Sequence, residues 1–190
     1  MVKVKKFIRV LGVDDGFFVP GKKGSALLVG VVFRLDGCVE GILSTRVRVD
    51  ALDATRKIVK MLLDSKFAEQ VSFILLSGAN VAGFNIIDVG RLSEKTGKPV
   101  IVVQRRKPDM RKIFLALKKF SDFEERKGLF EGLGEIHSFK NIFFQCHGVG
   151  AGEAEALLSK CIFHSNIPEP LRLAHLIASG TTMGQSTRPK

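Results

Sequence analysis

The chain has 190 residues, enough for one domain, 1–190, with one substantial core. Hydrophobic residues make up 45% and charged residues 26%, which excludes a disordered or fibrous chain; no apolar run reaches the roughly 18–20 residues that span a bilayer. The 30 Lys+Arg against 19 Asp+Glu leave a net charge of +11, a field that attracts polyanions, nucleic acid above all, although a basic surface also serves plain solubility.

The N-terminus begins basic, as a signal peptide does, but its apolar stretch is short and interrupted by Arg9. It reads better as a first strand over 5–13, ending in the turn Asp14-Asp15-Gly16. A Pro- and Gly-containing loop at 18–25 leads to a second strand over 26–35. Asp36-Gly37 is a two-residue hairpin signal, and 38–49 forms the third strand. There Arg46 and Arg48 alternate with Val47 and Val49, so one face is basic and the other buried. Asp53 is placed to cap a helix whose stripe is Ile58, Val59, Leu62 and Leu63. Residues 71–76 are continuously apolar, a strand buried on both faces that ends at Ser77-Gly78. A short helix over 85–96, a strand over 100–103 and a basic helix near 108–120 follow. Residues 121–138 give no clear pattern. Residues 141–145 could form a strand, 153–160 read as a helix, and Pro168 starts a last helix to about Ser179, with a frayed tail behind it. Three consecutive strands predict an antiparallel meander, and the alternation after them predicts parallel units.

Four groupings could carry chemistry. Asp14 and Asp15, with Asp50 or Asp53, offer hard oxygens to a divalent cation such as Mg²⁺, although Asp-Asp-Gly is also ordinary turn chemistry. Cys146-His147 with Cys161 and His164 supply four soft ligands, but neighbours on a strand point to opposite faces. The glycine-rich run 148–153 lacks the third glycine of a dinucleotide fingerprint and the Lys of a P-loop, so it reads as a tight strand-to-helix turn. Between 105 and 127, nine bases, Arg105, Arg106, Lys107, Arg111, Lys112, Lys118, Lys119, Arg126 and Lys127, stand against four acids. That is either a solvated helix face or a surface that tracks phosphates. Trp and Tyr are absent, so base stacking falls to Phe, His or Arg. The 3 cysteines are odd in number and form no CxxC, which fits a reducing, cytoplasmic setting better than a disulfide framework.

The segments GVDDG at 12–16, RVDALDAT at 48–55, GANVAGFNIID at 78–88 and PEPLRLAHLIASG at 168–180 occur in this order. Together they resemble the archaeal domain-of-unknown-function family 99, a relative of endonuclease V and of the deoxyuridine endonucleases. The resemblance covers essentially the whole chain. It is most specific at PEPLRLAH, because endonuclease V carries a Pro-x-x-x-Arg-x-Ala element in its last helix. It implies a ribonuclease H-like mixed α/β sheet, a three-strand antiparallel meander followed by parallel strands, flanked by helices.

It also implies a Mg²⁺- or Mn²⁺-dependent endonuclease. Its DNA substrate would carry a deaminated base, deoxyuridine or deoxyinosine, and its work would be DNA repair without a membrane. By position, Asp14 with Asp15 takes the place of the first acid, Asp53 (in preference to Asp50) that of the second, and His175 that of the last-helix polar residue. The third acid falls at Ser77, where the family reads Asp-Gly. Asp88 is the nearest carboxylate that could compensate. Gly78, Gly83, Phe84 and Asn85 would shape a pocket for an extruded base, with Phe84 stacking. Arg105, Arg106 and Arg172 would hold the backbone. The Ser77 departure keeps a second reading open, a nucleic-acid-binding protein with weakened or lost nuclease activity.

Overall fold

The computed structural model describes residues 7–163 and 165–187. Strands β1 (Arg9–Asp15), β2 (Ser25–Arg34) and β3 (Cys38–Arg48) form the expected antiparallel meander, closed at Asp36-Gly37 with Gly37 at φ 101°. Positions 5 and 6 of the anticipated first strand lie outside the described residues. Helix α1 (Ala54–Leu63) returns the chain to β4 (Val71–Ser77), which pairs parallel to β1.

The anticipated helix over 85–96 is shorter. A small hairpin, β5 (Asn80–Val81) and β6 (Asn85–Ile86), precedes α2 (Val89–Thr96). Asp88 fixes that start, because its carboxylate accepts the Arg91 N–H at 2.9 Å. Gly97, at φ 66°, ends α2, and β7 (Val100–Gln104) pairs parallel to β4. The unassigned stretch contains α4 (Phe123–Glu131), which follows α3 (Met110–Leu117), and then β8 (His137–Phe139). β9 (Ile142–His147) pairs antiparallel to both β7 and β8, and α5 (Ala151–Cys161) and α6 (Glu169–Met183) complete the fold. The sheet order is β3-β2-β1-β4-β7-β9-β8, so β1 lies inside the sheet between β2 and β4.

The period of two along each strand feeds two apolar layers. Leu11, Val13, Leu28, Ile74, Leu76 and Val102 face α1 to α4. Val10, Val31, Leu75, Ile101 and Phe144 face α5 and α6. Of the tail expected to fray, residues 180–183 instead extend α6 to Met183, and residues 188–190 lie outside the described residues. Gly184, at φ 77°, then turns the chain back, and the Thr187 N–H reaches Ser179 Oγ at 3.2 Å.

One close approach sets the position of α6. A Cβ on Gly12 would lie 2.5 Å from the Pro170 carbonyl carbon, and one on Gly16 would lie 2.9 Å from the Ala178 carbonyl oxygen. The helix backbone therefore rests directly on β1. From Pro170 to His175 the helix climbs about 7.5 Å, and from Gly12 to Asp14 the strand advances about 6.7 Å. The two run side by side in step, which brings His175 level with Asp14. Gly12→Ala forces backbone apart rather than a flexible side chain. It should cost about 1–3 kcal/mol in urea unfolding, with the loss of whatever activity depends on His175.

Candidate active site

A cavity of about 450 Å³ opens where β1 and β4 end, lined by Asp14, Asp15, Ser77, Gly83, His175 and Thr187 among others. β1 and β4 pair through Val13 and Leu76, so Ser77 follows level with Asp14. The strand pleat turns Asp14 towards α6 and Asp15 towards the β5–β6 hairpin. His175 Nδ1 lies 2.9 Å from Asp14 Oδ2, and both residues are buried. Asp14 Oδ1 accepts the Asp15 N–H at 2.9 Å, and Asp15 Oδ2 accepts the Ala82 N–H at 2.6 Å. His175 Nε2 lies 3.0 Å from Thr187 Oγ1. An ionised Asp14 can only accept, so Nδ1 donates to it and Nε2 is left beside Thr187 Oγ1 at the cavity. Ser179, whose hydroxyl bonds the His175 carbonyl, and Thr187, which lines the cavity beside Nε2, carry no motif that would single them out in the sequence.

Asp53 goes elsewhere. It is as buried as Asp14, at 6% exposure each, but it does not line the cavity. Its Oδ1 accepts from Asn85 Nδ2 at 2.7 Å and from the Arg48 N–H at 3.2 Å, while Oδ2 accepts from Arg48 Nε at 3.2 Å. Burial alone would raise the Asp53 carboxyl; the hydrogen bonds from Asn85 and Arg48, with the Arg48 charge, outweigh burial and hold it below the usual carboxylate range. Asp53 makes no side-chain cap to α1; Asn85 Oδ1 accepts the Ala54 N–H instead, at 3.0 Å. Asn85 is thus a fully buried hub that ties β6 to the start of α1. Asp50, in the left-handed region at φ 56°, accepts the Phe84 N–H at 2.8 Å.

Asp88 lines a separate cavity of about 260 Å³ among α1, α2 and α4. Phe84 packs edge-on against Phe120 at 5.7 Å between ring centroids, away from the Asp14 cavity. Of the anticipated base pocket, Gly83 lines that cavity, while Gly78 and Arg105 line a third one of about 190 Å³ that shares Ser77 with it.

The basic run divides. Arg105 and Arg106 are exposed at the end of β7. Arg126 is 4% exposed and binds inward, to the carbonyls of Phe84 at 2.5 Å and Asp50 at 2.8 Å and to Asp122 at 2.6 Å. It staples the 50–51 turn to the hairpin and is spent as a phosphate ligand. Arg172 is paired with the buried Glu169 at 2.7 and 2.5 Å, which raises its own pKa further.

Among the described residues no three His, Cys, Asp or Glu side chains gather as a preformed metal cage. Asp14 and Asp15, with the Ser77 hydroxyl, are the residues that could hold a cation. Each carboxylate oxygen has two lone pairs, so the hydrogen bonds at Asp14 still leave room for a metal. Mg²⁺ commonly takes one or two carboxylates and fills its other positions with water and substrate phosphate, so this donor set fits it. Among the described residues Cys146, His147 and Cys161 do not gather as a metal site; burial pushes the Cys161 thiol up to about 12 and raises Cys146 too, and His164 lies outside the described residues.

A seven-strand mixed sheet with antiparallel β3-β2-β1 and parallel β1-β4-β7, flanked by helices, is the ribonuclease H-like fold of the endonuclease V type. Endonuclease V from Bacillus subtilis aligns with a TM-score of 0.61 at 13% identity, over 90% of this chain and 78% of that one. Endonuclease V from Ciona intestinalis, in complex with DNA containing an inosine, aligns with a TM-score of 0.59 at 15% identity, over 89% and 83%. The chain belongs to the endonuclease dU family, whose sequence profile matches residues 6–182. UPF0215 proteins from Methanothermobacter thermautotrophicus and Methanopyrus kandleri are 44% and 41% identical to it, over 97% of this chain and 92% and 96% of their own. The crystal structure of a protein of unknown function from Archaeoglobus fulgidus aligns with a TM-score of 0.87 at 40% identity, over 93% of this chain and 99% of that one. Family and fold together point to a nuclease.

The two buried aspartates should separate in a stability measurement. Asp53→Ala leaves Asn85 Nδ2 and the Arg48 N–H without their acceptor and should cost about 1–3 kcal/mol in urea unfolding. Asp14→Ala opens onto a cavity where water replaces the carboxylate, and should cost less. The Asp53 carboxyl titrates lower in the folded chain than in the unfolded one. Its contribution is therefore complete above about pH 4 and is lost as pH falls through the folded value. Asp53→Ala should flatten that acid limb of the stability profile.

Proposed function

We propose that this protein is a divalent-metal-dependent endonuclease that hydrolyses phosphodiester bonds in DNA beside a deaminated base, deoxyuridine or deoxyinosine. The observation that carries this reading is the buried Asp14–His175 pair facing a cavity at the ends of β1 and β4. Membership of the endonuclease dU family and the net charge of +11 support it. Asp14 and Asp15 would hold Mg²⁺ or Mn²⁺, which supplies polarisation of a phosphoryl oxygen and a more acidic water. Asp14 orients His175 through Nδ1, and Nε2, on exchanging its Thr187 contact for substrate or water, would take a proton from the attacking water and then pass one to the leaving oxygen. Water adds to phosphorus as the P–O bond to the leaving oxygen breaks. Exposed Arg105 and Arg106 would meet the strand. The protein would act inside the cell; no helix among the described residues is long and apolar enough to cross a membrane.

The direct test is incubation with uracil-containing, hypoxanthine-containing and undamaged DNA, with Mg²⁺, Mn²⁺ or EDTA. Nicks should appear only with metal and only in damaged DNA. Asp14→Asn should lower nicking by at least about 100-fold while DNA binding stays close to wild type, because no negative charge is added against phosphate.

A second reading, nucleic-acid binding with lost or weakened cleavage, is favoured by Ser77, a neutral ligand where the resemblance implies an acid. Ser77→Asp places a further carboxylate level with Asp14. It should tighten Mg²⁺ binding in calorimetry and raise cleavage. If both stay unchanged, position 77 is not a ligand position.

A further inference from the structure

The rim of the Asp14 cavity carries two phenylalanines, and one of them is exposed to solvent. Residues 16–24 connect β1 to β2, and Phe17, Phe18 and Pro20 line the cavity mouth. Phe18 packs against the core, whereas Phe17 is 54% and Val19 44% exposed. The connection is held at its base. The Gly16 N–H reaches the Leu27 carbonyl at 2.8 Å, and the Phe17 N–H reaches Thr182 Oγ1 on α6 at 2.9 Å. Phe17 is therefore presented in water from an anchored backbone.

Two other phenylalanines are similarly exposed, and each has a partner. Phe7 lies under the Arg34 guanidinium at 5.9 Å, and Phe163 stacks on Phe33 at 6.0 Å. Among the described residues no aromatic ring stacks on Phe17 and no cation lies over it. Lys22 and Lys23 are exposed on the same connection, and Arg46 is exposed on the neighbouring β3. An exposed ring on a connection that also carries exposed lysines has the make-up of a single-strand nucleic-acid contact.

We infer that Phe17 stacks on a nucleobase of the bound strand, at the mouth of the cavity whose floor holds Asp14 and Asp15. The inference rests on the nuclease reading and adds a substrate contact that Phe84, half-buried against Phe120, does not make. Every base has a π-face, so this contact sets affinity and strand position rather than the choice of lesion. Its loss should weaken uracil-containing, hypoxanthine-containing and undamaged single strands alike.

The test is fluorescence anisotropy of labelled single-stranded oligonucleotides, with single-turnover nicking in parallel, on wild type, Phe17→Ala, Phe17→Leu and Val39→Ala. Val39, 44% exposed at the far end of β3, is the surface control. Phe17→Ala should weaken binding about 5- to 150-fold, the range of one lost base stack. Phe17→Leu, which keeps apolar bulk without the ring, should recover only a minor part. Val39→Ala should bind as wild type, and all variants should melt together. Phe17→Ala binding at wild-type strength, or Phe17→Leu matching wild type, overturns the inference. If wild type binds but never nicks, while Phe17→Ala still loses affinity, the nuclease reading fails and the stacking contact stands. If wild type nicks and Phe17→Ala nicks and binds equally well, the stacking contact fails and the nuclease reading stands. Wild type that binds none of the strands overturns both.

Discussion

The direct seating of α6 on β1 is the constraint on which the site depends. A side chain at Gly12 would lie against the Pro170 backbone, and one at Gly16 against Ala178. Two glycines four positions apart let a helix lie parallel to the strand at backbone contact distance. A helix rises less than half as far per residue as a strand, so each strand residue answers to about two helix residues. That ratio brings His175 level with Asp14. The same contact carries Thr182 to the Phe17 N–H and lets the turn at Gly184 fold Thr187 back on His175.

Two aspartates of equal burial illustrate how surroundings assign roles. Asp53 is enclosed by donors, and its two oxygens are engaged by Asn85 and Arg48. A buried carboxylate so satisfied holds the β3–α1 connection and has no open side. Asp14 is engaged by a single imidazole and one N–H, and its remaining side faces a cavity. Its charge is therefore available to something that enters from solvent. Arg126 repeats the first case with opposite sign. It lies in a sequence run rich in bases, yet its guanidinium is turned inward onto three carbonyls and Asp122.

Much of the fold was legible in the chain because its signals are local. The meander follows from alternation and from Asp36-Gly37, whose glycine takes the positive φ the turn needs. The buried strands β4 and β7 follow from continuous apolar runs between turn residues. The stretch 121–138 was opaque for the same reason. Its helix α4 buries only Arg126 and Phe130 of its nine residues and presents no clean apolar stripe, and β8 has only three residues.

The sequence by itself determined the order of elements, the acidic end of β1, the basic charge and the resemblance carried by PEPLRLAH. It could not decide which acids meet. Asp14 and His175 are 161 positions apart and come together only because α6 docks on β1. Asp53, Asn85 and Phe84 carry the residue types of a site, and packing turned them inward instead. Local pattern is set by neighbours three or four positions away, which the sequence contains. Whether a carboxylate is enclosed by donors or left facing a cavity is set by residues from distant elements, and only the tertiary structure supplies those.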